Sequence, residues 1–298
     1  VTTGVVVMAY GTPASPGGVE AYYTHIRRGR PPEPAQLAEL VARYEAIGGT
    51  SPLAERTRAQ LRAIEANLPV DAEDPFLVRL GQKHSAPFIE GAVQELRDLG
   101  ADRIVGLVLA PHYSSASVGQ YHARAREAAG GVAYTGIDSW HLLEELIDFQ
   151  TAAVRSGLAG LPARTQVVFT AHSLPERALE GDPYPDQLAA SAERIARRAG
   201  LGEQHPWRLG WQSAGRTPEP WRGPDILELI SELGASGDTD GVLVVPQGFT
   251  SDHLEVLYDL DIEAARAAEA AGVDFARTGV VNDDDAVMGA LARLVAAG

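Results

Sequence analysis

Short apolar runs alternate along this chain with longer amphipathic stretches, and the alternation predicts its architecture. Strands are expected at Val5–Ala9, Phe76–Leu80, Arg103–Ala110, Gln166–Thr170, Leu209–Gln212 and Gly241–Val245. Helices are expected between them, among others at Pro34–Ile47, Leu53–Asn67, Phe88–Leu99, Leu142–Val154, Asp186–Ala199 and Ile226–Leu233. The strands are near-continuously hydrophobic and β-branched, as strands covered on both faces are. Strand then helix, repeated, points to an α/β fold of parallel sheets flanked by helices. One such set occupies each half of the chain. The segment around Asp138–Val154 reads as the helix joining them and Asp283–Ala296 as a closing helix. The expected division is therefore 1–145 plus 278–298 for the first domain and 146–277 for the second.

Composition narrows the chemistry. The chain has 298 residues, 45% hydrophobic and 22% charged, which is an ordinary globular composition. It has no cysteine, so disulfides, thiolate metal sites, cysteine nucleophiles and cysteine-ligated iron–sulfur clusters are excluded together. A bound metal must use imidazole, carboxylate or phenolate. The net charge of -15 speaks against a nucleic-acid partner, which would need a basic footprint. No apolar run reaches the ~18 residues of a membrane span, and the amino terminus enters a strand without a basic leader. A cytoplasmic protein is the expectation. Without a coiled-coil pattern or a long apolar surface run, a monomer is the default.

In open parallel sheets, ligands bind beyond the carboxyl ends of the strands. Three histidines, His84, His112 and His172, fall at such ends. No G-x-G-x-x-G follows the first strand, and the phosphate-binding G-x-x-x-x-G-K-[ST], zinc-binding H-E-x-x-H and G-x-S-x-G motifs are missing as well. What is left is a histidine-bearing, cysteine-free cleft between two α/β halves.

Three constellations could carry chemistry there. In Thr170-Ala171-His172-Ser173-Leu174-Pro175-Glu176, the strand is expected to end at Thr170 and Ser173 with Glu176 fits a capping box, holding His172 at the elbow. An imidazole there could accept a proton, bind a divalent metal or simply satisfy backbone groups. If Leu254–Glu263 is helical, Glu255, Asp259 and Glu263 lie four apart on one face. Such a row suits a metal such as ferrous iron, or a proton relay, although Asp252 with Glu255 also fits a capping box and the rest a solvated face. Finally, Arg27, Arg28 and Arg30 cluster within four residues of an acidic chain. Arginine forks recognise carboxylates, so the cluster would suit a substrate carrying several, or be ordinary surface charge. Ser51 followed by Pro52 reads as a helix start.

Taken together, several stretches resemble the ferrochelatase family, specifically its coproporphyrin branch of Gram-positive and related bacteria. They include Val7–Pro13, Tyr22–Arg30, Arg43–Ala54, Leu109–His112, Ala171–Glu176, Gly181–Leu188, Trp211–Gly215, Pro220–Pro224 and Gly248–Asp259, in order over nearly the whole chain. The resemblance implies a lyase-type metal chelatase with two similar Rossmann-like halves and a porphyrin in the cleft between them. It implies that His172 and Glu255 are catalytic and meet the metal, and that Asp259 and Glu263 hold a second divalent cation or relay protons. Tyr10 is implied as an axial ligand of the product iron on the opposite face. Arg27, Arg43, Tyr44, Ser51 and Tyr121 are implied as porphyrin contacts. The expected reaction inserts Fe(II), a substrate, into coproporphyrin III in haem biosynthesis, with no organic cofactor and no iron–sulfur cluster. Proton acceptance falls chiefly to His172. The partners implied are the porphyrin, Fe(II) and transient contacts with haem-pathway enzymes. The alternatives are a protoporphyrin ferrochelatase, a chelatase for another tetrapyrrole or metal such as cobalt, and a non-catalytic porphyrin carrier. Gly279–Asp285 follows the family only loosely.

Overall fold

A computed structural model describes residues 1–71, 73–215 and 217–298. In the first half the order is β1 (Thr3–Ala9), α1 (Val19–Ile26), α2 (Pro34–Ala46), α3 (Leu53–Asn67), β2 (Phe76–Gln82), α4 (Ile89–Asp98), β3 (Arg103–Val108), α5 (Val118–Ala129) and β4 (Ala133–Ile137). The helix α6 (Glu144–Leu158) crosses to β5 (Thr165–His172), α7 (Glu176–Leu179), α8 (Tyr184–Ala199), β6 (Trp207–Gln212), α9 (Ile226–Ser236) and β7 (Gly241–Val245). Then come α10 (Leu254–Leu257), a π-helical turn (Asp259–Ala264), α11 (Ala265–Ala271), β8 (Asp274–Arg277) and α12 (Asp285–Ala297).

Among the described residues these strands form two four-stranded sheets, ordered β2-β1-β3-β4 and β6-β5-β7-β8. Every pairing is parallel. The two halves thus repeat one winding, and the expected α/β class with two Rossmann-like halves is what the chain adopts. Each sheet is covered on both faces, which is why its inner strands are apolar at successive positions rather than at alternate ones. Val5, Val7 and Leu107 point to α3 and α12, while Val6, Met8 and Ile104 point to α4 and α5. In the second sheet Val168 and Val244 face α9 and α11, and Val167, Phe169 and Leu243 face α6 and α8. Complete burial of side chains of this size stabilises by about 1.5–3 kcal/mol each.

Three expectations change. The strand beginning at Arg103 stops at Val108 rather than Ala110. The strand through Gln166–Thr170 continues to His172, which pairs with Gln212 of β6. Two strands escaped the apolar pattern altogether, β4 and β8, with 5 and 4 residues. Both are edge strands and only partly buried, so they lack the continuous run on which the reading depends.

Candidate active site

The carboxyl ends of both sheets open into one cavity of about 980 Å³ between the halves. Tyr10 follows β1, Lys83 and His84 follow β2, His172 ends β5, and Gly248–Ser251 with His253–Glu255 follow β7; all of these reach the walls. Gly11, at a φ of +91°, turns the chain away from β1 beside Ser85, where an added Cβ would stand 2.2 Å from the Ser85 hydroxyl.

His172 is the last residue of its strand, so the neighbouring strand fixes its backbone. Its Nδ1 donates to the Ser173 carbonyl at 2.5 Å, and Tyr184 Oη donates to the His172 carbonyl at 3.2 Å. With Nδ1 committed, Nε2 faces the cavity 3.5 Å from Glu255 Oε1. The other Glu255 oxygen stands 3.5 Å from His253 Nε2, and Gln212 Nε2 donates to the Glu255 carbonyl at 2.9 Å. The carboxylate is therefore held between two imidazoles. Burial opposes charge on His172, yet Glu255, the Ser173 carbonyl and Asp259 outweigh it and raise the ring to about 9. Burial would likewise push Glu255 up, but His172 and His253 hold it well below the usual carboxylate range. At neutral pH the pair is an imidazolium beside a carboxylate.

Two capping expectations are not met. Ser173 Oγ donates to the Arg222 carbonyl at 2.7 Å instead of starting a helix, and Glu176 pairs with Arg222 at 3.3 Å. Asp252 accepts from Asn282 Nδ2 at 2.9 Å and pairs with Arg277 at 3.3 Å, because the helix starts beyond an extended His253. Ser51 Oγ accepts from the Leu53 amide at 3.2 Å, but from one residue ahead of the cap, because Pro52 and not Ser51 is the N-cap of α3.

Nor is the acidic row one regular helix. α10 ends at Leu257, and the Glu263 amide donates to the Tyr258 carbonyl five residues back at 3.0 Å. This wider turn breaks the equal spacing of Glu255, Asp259 and Glu263. Asp259 is buried behind the cavity wall, accepts from Ser213 Oγ at 2.5 Å and lies 3.6 Å from Arg43. Burial and Glu255 raise it to about 7 against the pull of Ser213 and Arg43, with Glu263 adding to the rise. Among the described residues, no group of three His, Asp or Glu side chains forms a ready metal cage.

Of the expected porphyrin contacts, Tyr44, Ser51 and Tyr121 line the cavity with Tyr10. Arg27 and Arg43 do not. The Arg27 guanidinium lies 5.7 Å from the centre of the Tyr23 ring, and Arg43 lies 4.9 Å from that of Tyr258 while pairing with Asp259. The cations in the walls are Arg28, Lys83 and Arg124. Arg28, at a φ of 56°, is turned differently from Arg27. Lys83 donates to Gln120 Oε1 at 2.7 Å and is lowered to about 8 by burial and by Arg124 and Arg28. Beside it His84 is lowered to about 4, first by burial and then by Lys83, His25 and Arg124. The third strand-end histidine, His112, is buried, bonded to Ser191 Oγ at 2.9 Å and lowered to about 3 by burial and His141. It fits the role of a structural core histidine.

His253, Lys83 and Arg124 are the residues that sequence reasoning did not single out as site residues, whereas Arg28 belongs to the arginine cluster it offered for carboxylates. The available signal for the first was its place two residues before Glu255 in a matching stretch. For the others, nothing local distinguishes a wall residue from a surface one.

A paired sheet architecture with an imidazole–carboxylate pair at the strand ends and a recessed cationic wall defines a chelatase-type cleft. Solved structures with this fold include the sirohydrochlorin chelatase SirB from Bacillus subtilis subspecies spizizenii in complex with cobalt, at a TM-score of 0.60 and 12% identity over 99% of this chain and 94% of that one. CbiX, described as the terminal enzyme of sirohaem biosynthesis in denitrifying bacteria, follows at 0.55 and 14% over 100% and 99%. The sequence pattern of the family Ferrochelatase matches residues 2–298. The chain is 44% identical to the coproporphyrin III ferrochelatase of Geobacillus kaustophilus, over 99% of this chain and 95% of that protein. It is 43% identical to that of Bacillus subtilis, over 98% and 96%. The chain belongs to the ferrochelatase family.

Proposed function

We propose that this protein inserts Fe(II) into coproporphyrin III, releasing two protons, with His172 and Glu255 as the catalytic pair. The observation that carries the reading is this pair, 3.5 Å apart at the wall of a 980 Å³ cavity, in a chain matched end to end by relatives bearing that activity in their names. The cavity lies at the upper end of the range for small-molecule sites, as a tetrapyrrole requires. Arg28, Lys83 and Arg124 offer charge for several propionates. Tyr44, Ser51 and Tyr121 supply further contacts, and Tyr10 an oxygen ligand for the inserted iron.

A free porphyrin presents two inward pyrrole N–H groups, so the site must take protons as the metal enters. Beside Glu255 the resting His172 ring favours its protonated form, so the proton acceptance assigned to it requires that this support first be reduced. A dication arriving at Glu255 would cancel that support. Burial then favours the neutral ring, which gives up its proton and becomes an acceptor at Nε2, since Nδ1 donates to Ser173. Asp259, poised near 7, is suited to pass protons outward, with Glu263 beyond it. The same two acids would hold a second divalent cation where they do not relay protons.

Support for the division into 1–145 with 278–298 and 146–277 comes from α12, whose Met288, Leu291 and Val295 sit in the core of the first sheet. Among the described residues no helix is long and apolar enough to cross a membrane; a cytoplasmic monomer is the proposed state. The test is anaerobic Fe(II) insertion, followed by absorption, with coproporphyrin III and protoporphyrin IX compared. Faster turnover of coproporphyrin is expected. Tight porphyrin binding without turnover of either would replace this reading with a carrier.

A further inference from the structure

Between the halves, one side of α8 and the turn ahead of it are bonded in sequence to the segment leading from β3 into α5. His112 Nε2 meets Ser191 Oγ at 2.9 Å, and the Tyr113 amide donates to Gln187 Oε1 at 2.7 Å. At the end of this series, Asp182 gathers three donors on one oxygen: Ser114 Oγ at 3.2 Å, the Ser115 amide at 2.8 Å and Ser115 Oγ at 2.8 Å. Its other oxygen accepts from the Tyr184 amide at 3.0 Å. A carboxylate can only accept, and here its capacity is taken up by four donors, three of them from the other half.

The two ends of this contact lead to the two sides of the reaction. Tyr184, set by Asp182 Oδ1, bonds the His172 carbonyl through its phenol at 3.2 Å. Ser114, set by Asp182 Oδ2, accepts the Ala116 amide on its hydroxyl at 3.2 Å and the Gly119 amide on its carbonyl at 3.0 Å, which fixes the start of α5. That helix carries Tyr121 and Arg124 in the cavity wall. A single half-buried carboxylate thus bonds both the amide of the catalytic imidazole's support, Tyr184, and the segment that leads into the wall that would hold the porphyrin.

We propose that Asp182 is a positioning residue, a clamp between the halves that fixes where the α5 wall presents the porphyrin to His172. The inference rests on the catalytic reading of His172 given above. A carboxylate made for fold alone would affect stability, whereas one that sets alignment must affect turnover, because small displacements of reacting groups cost large factors in rate.

The experiment compares full-length wild type with Asp182→Ala, Asp182→Asn and Ser115→Ala. In Asp182→Ala, kcat per folded molecule should fall by about tenfold or more while KM for the porphyrin stays within about threefold. Amide exchange should quicken at Ser115–Gly119 and not in the sheets. Asp182→Asn keeps one acceptor oxygen and should recover most of kcat. Ser115→Ala, at an exposed position and so safe for folding, should lose about threefold, as one of four bonds is gone. Turnover within about twofold of wild type in Asp182→Ala, or in Ser115→Ala where the former does not fold, overturns the clamp alone. So does loss of protection throughout both sheets. A wild type that turns over neither porphyrin overturns the chelatase reading, and the clamp with it.

Discussion

His172 Nε2 lies 3.5 Å from Glu255 Oε1, and this carboxylate leads the groups that favour the charged ring, ahead of the Ser173 carbonyl and Asp259. An isolated imidazole so placed would be neutral, since burial lowers it. Beside Glu255 it is held up at about 9. In Glu255→Gln the support is gone while the burial stays, so the His172 pKa should drop below its ordinary value of about 6.5. NMR titration of the ring reads this directly. A ring that still titrates near 9 would mean that another group holds the proton.

His172→Ala should reduce insertion by about 10³-fold, within the range for loss of a general acid–base group. Porphyrin binding, followed by quenching of fluorescence, should stay within about threefold, since in the proposed reaction the ring serves proton transfer while Arg28, Lys83 and Arg124 supply the charge for the propionates. Binding lost in parallel with turnover would remove His172 from the chemistry.

Asp259 has consequences for stability. Its folded pKa of about 7 lies above the ordinary aspartate value of 3.8, so between those limits the native state holds a proton that the unfolded chain has released. Its contribution to stability is therefore largest at acid pH and declines as pH rises from about 4 to 7. Asp259→Asn removes the penalty. It should raise Tm more at pH 8 than at pH 5, where only about a third of the window between 3.8 and 7 has been crossed, with a gain of at most a few kcal/mol, one pKa unit being worth about 1.4 kcal/mol. Thermal scans at the two pH values are the check, and equal effects at both would point to packing instead of charge.

The arginines separate by direction. Lys83→Ala or Arg28→Ala should raise KM for a tetrapropionate porphyrin by about tenfold, the worth of one charge-assisted hydrogen bond. Arg27→Ala, whose guanidinium rests against Tyr23 outside the walls, should change it by about twofold or less. Steady-state kinetics at two salt concentrations would check both the magnitude and the ionic character.

The inner strands and most of the larger helices were legible in the sequence, Leu53–Asn67 to the residue, because burial on one or both faces writes an apolar pattern that neighbouring residues share. β4 and β8 were not, since they are short edge strands with no fully buried residue, whereas the other edge strands, β2 and β6, keep buried positions and a readable apolar run. The residue types of the site were also legible: His172 at a strand end, and the acids after Gly248. Three features were decided by tertiary structure alone. The π turn displaced the acidic row from a single helical face. Arg28, which adopts a φ of 56°, and not Arg27, lies in the wall. The charge of His172 came from a carboxylate in a distant part of the chain. Local pattern records which side chains prefer water. Electrostatic state depends on distances of a few ångströms between elements remote in sequence, and only the packed fold sets those.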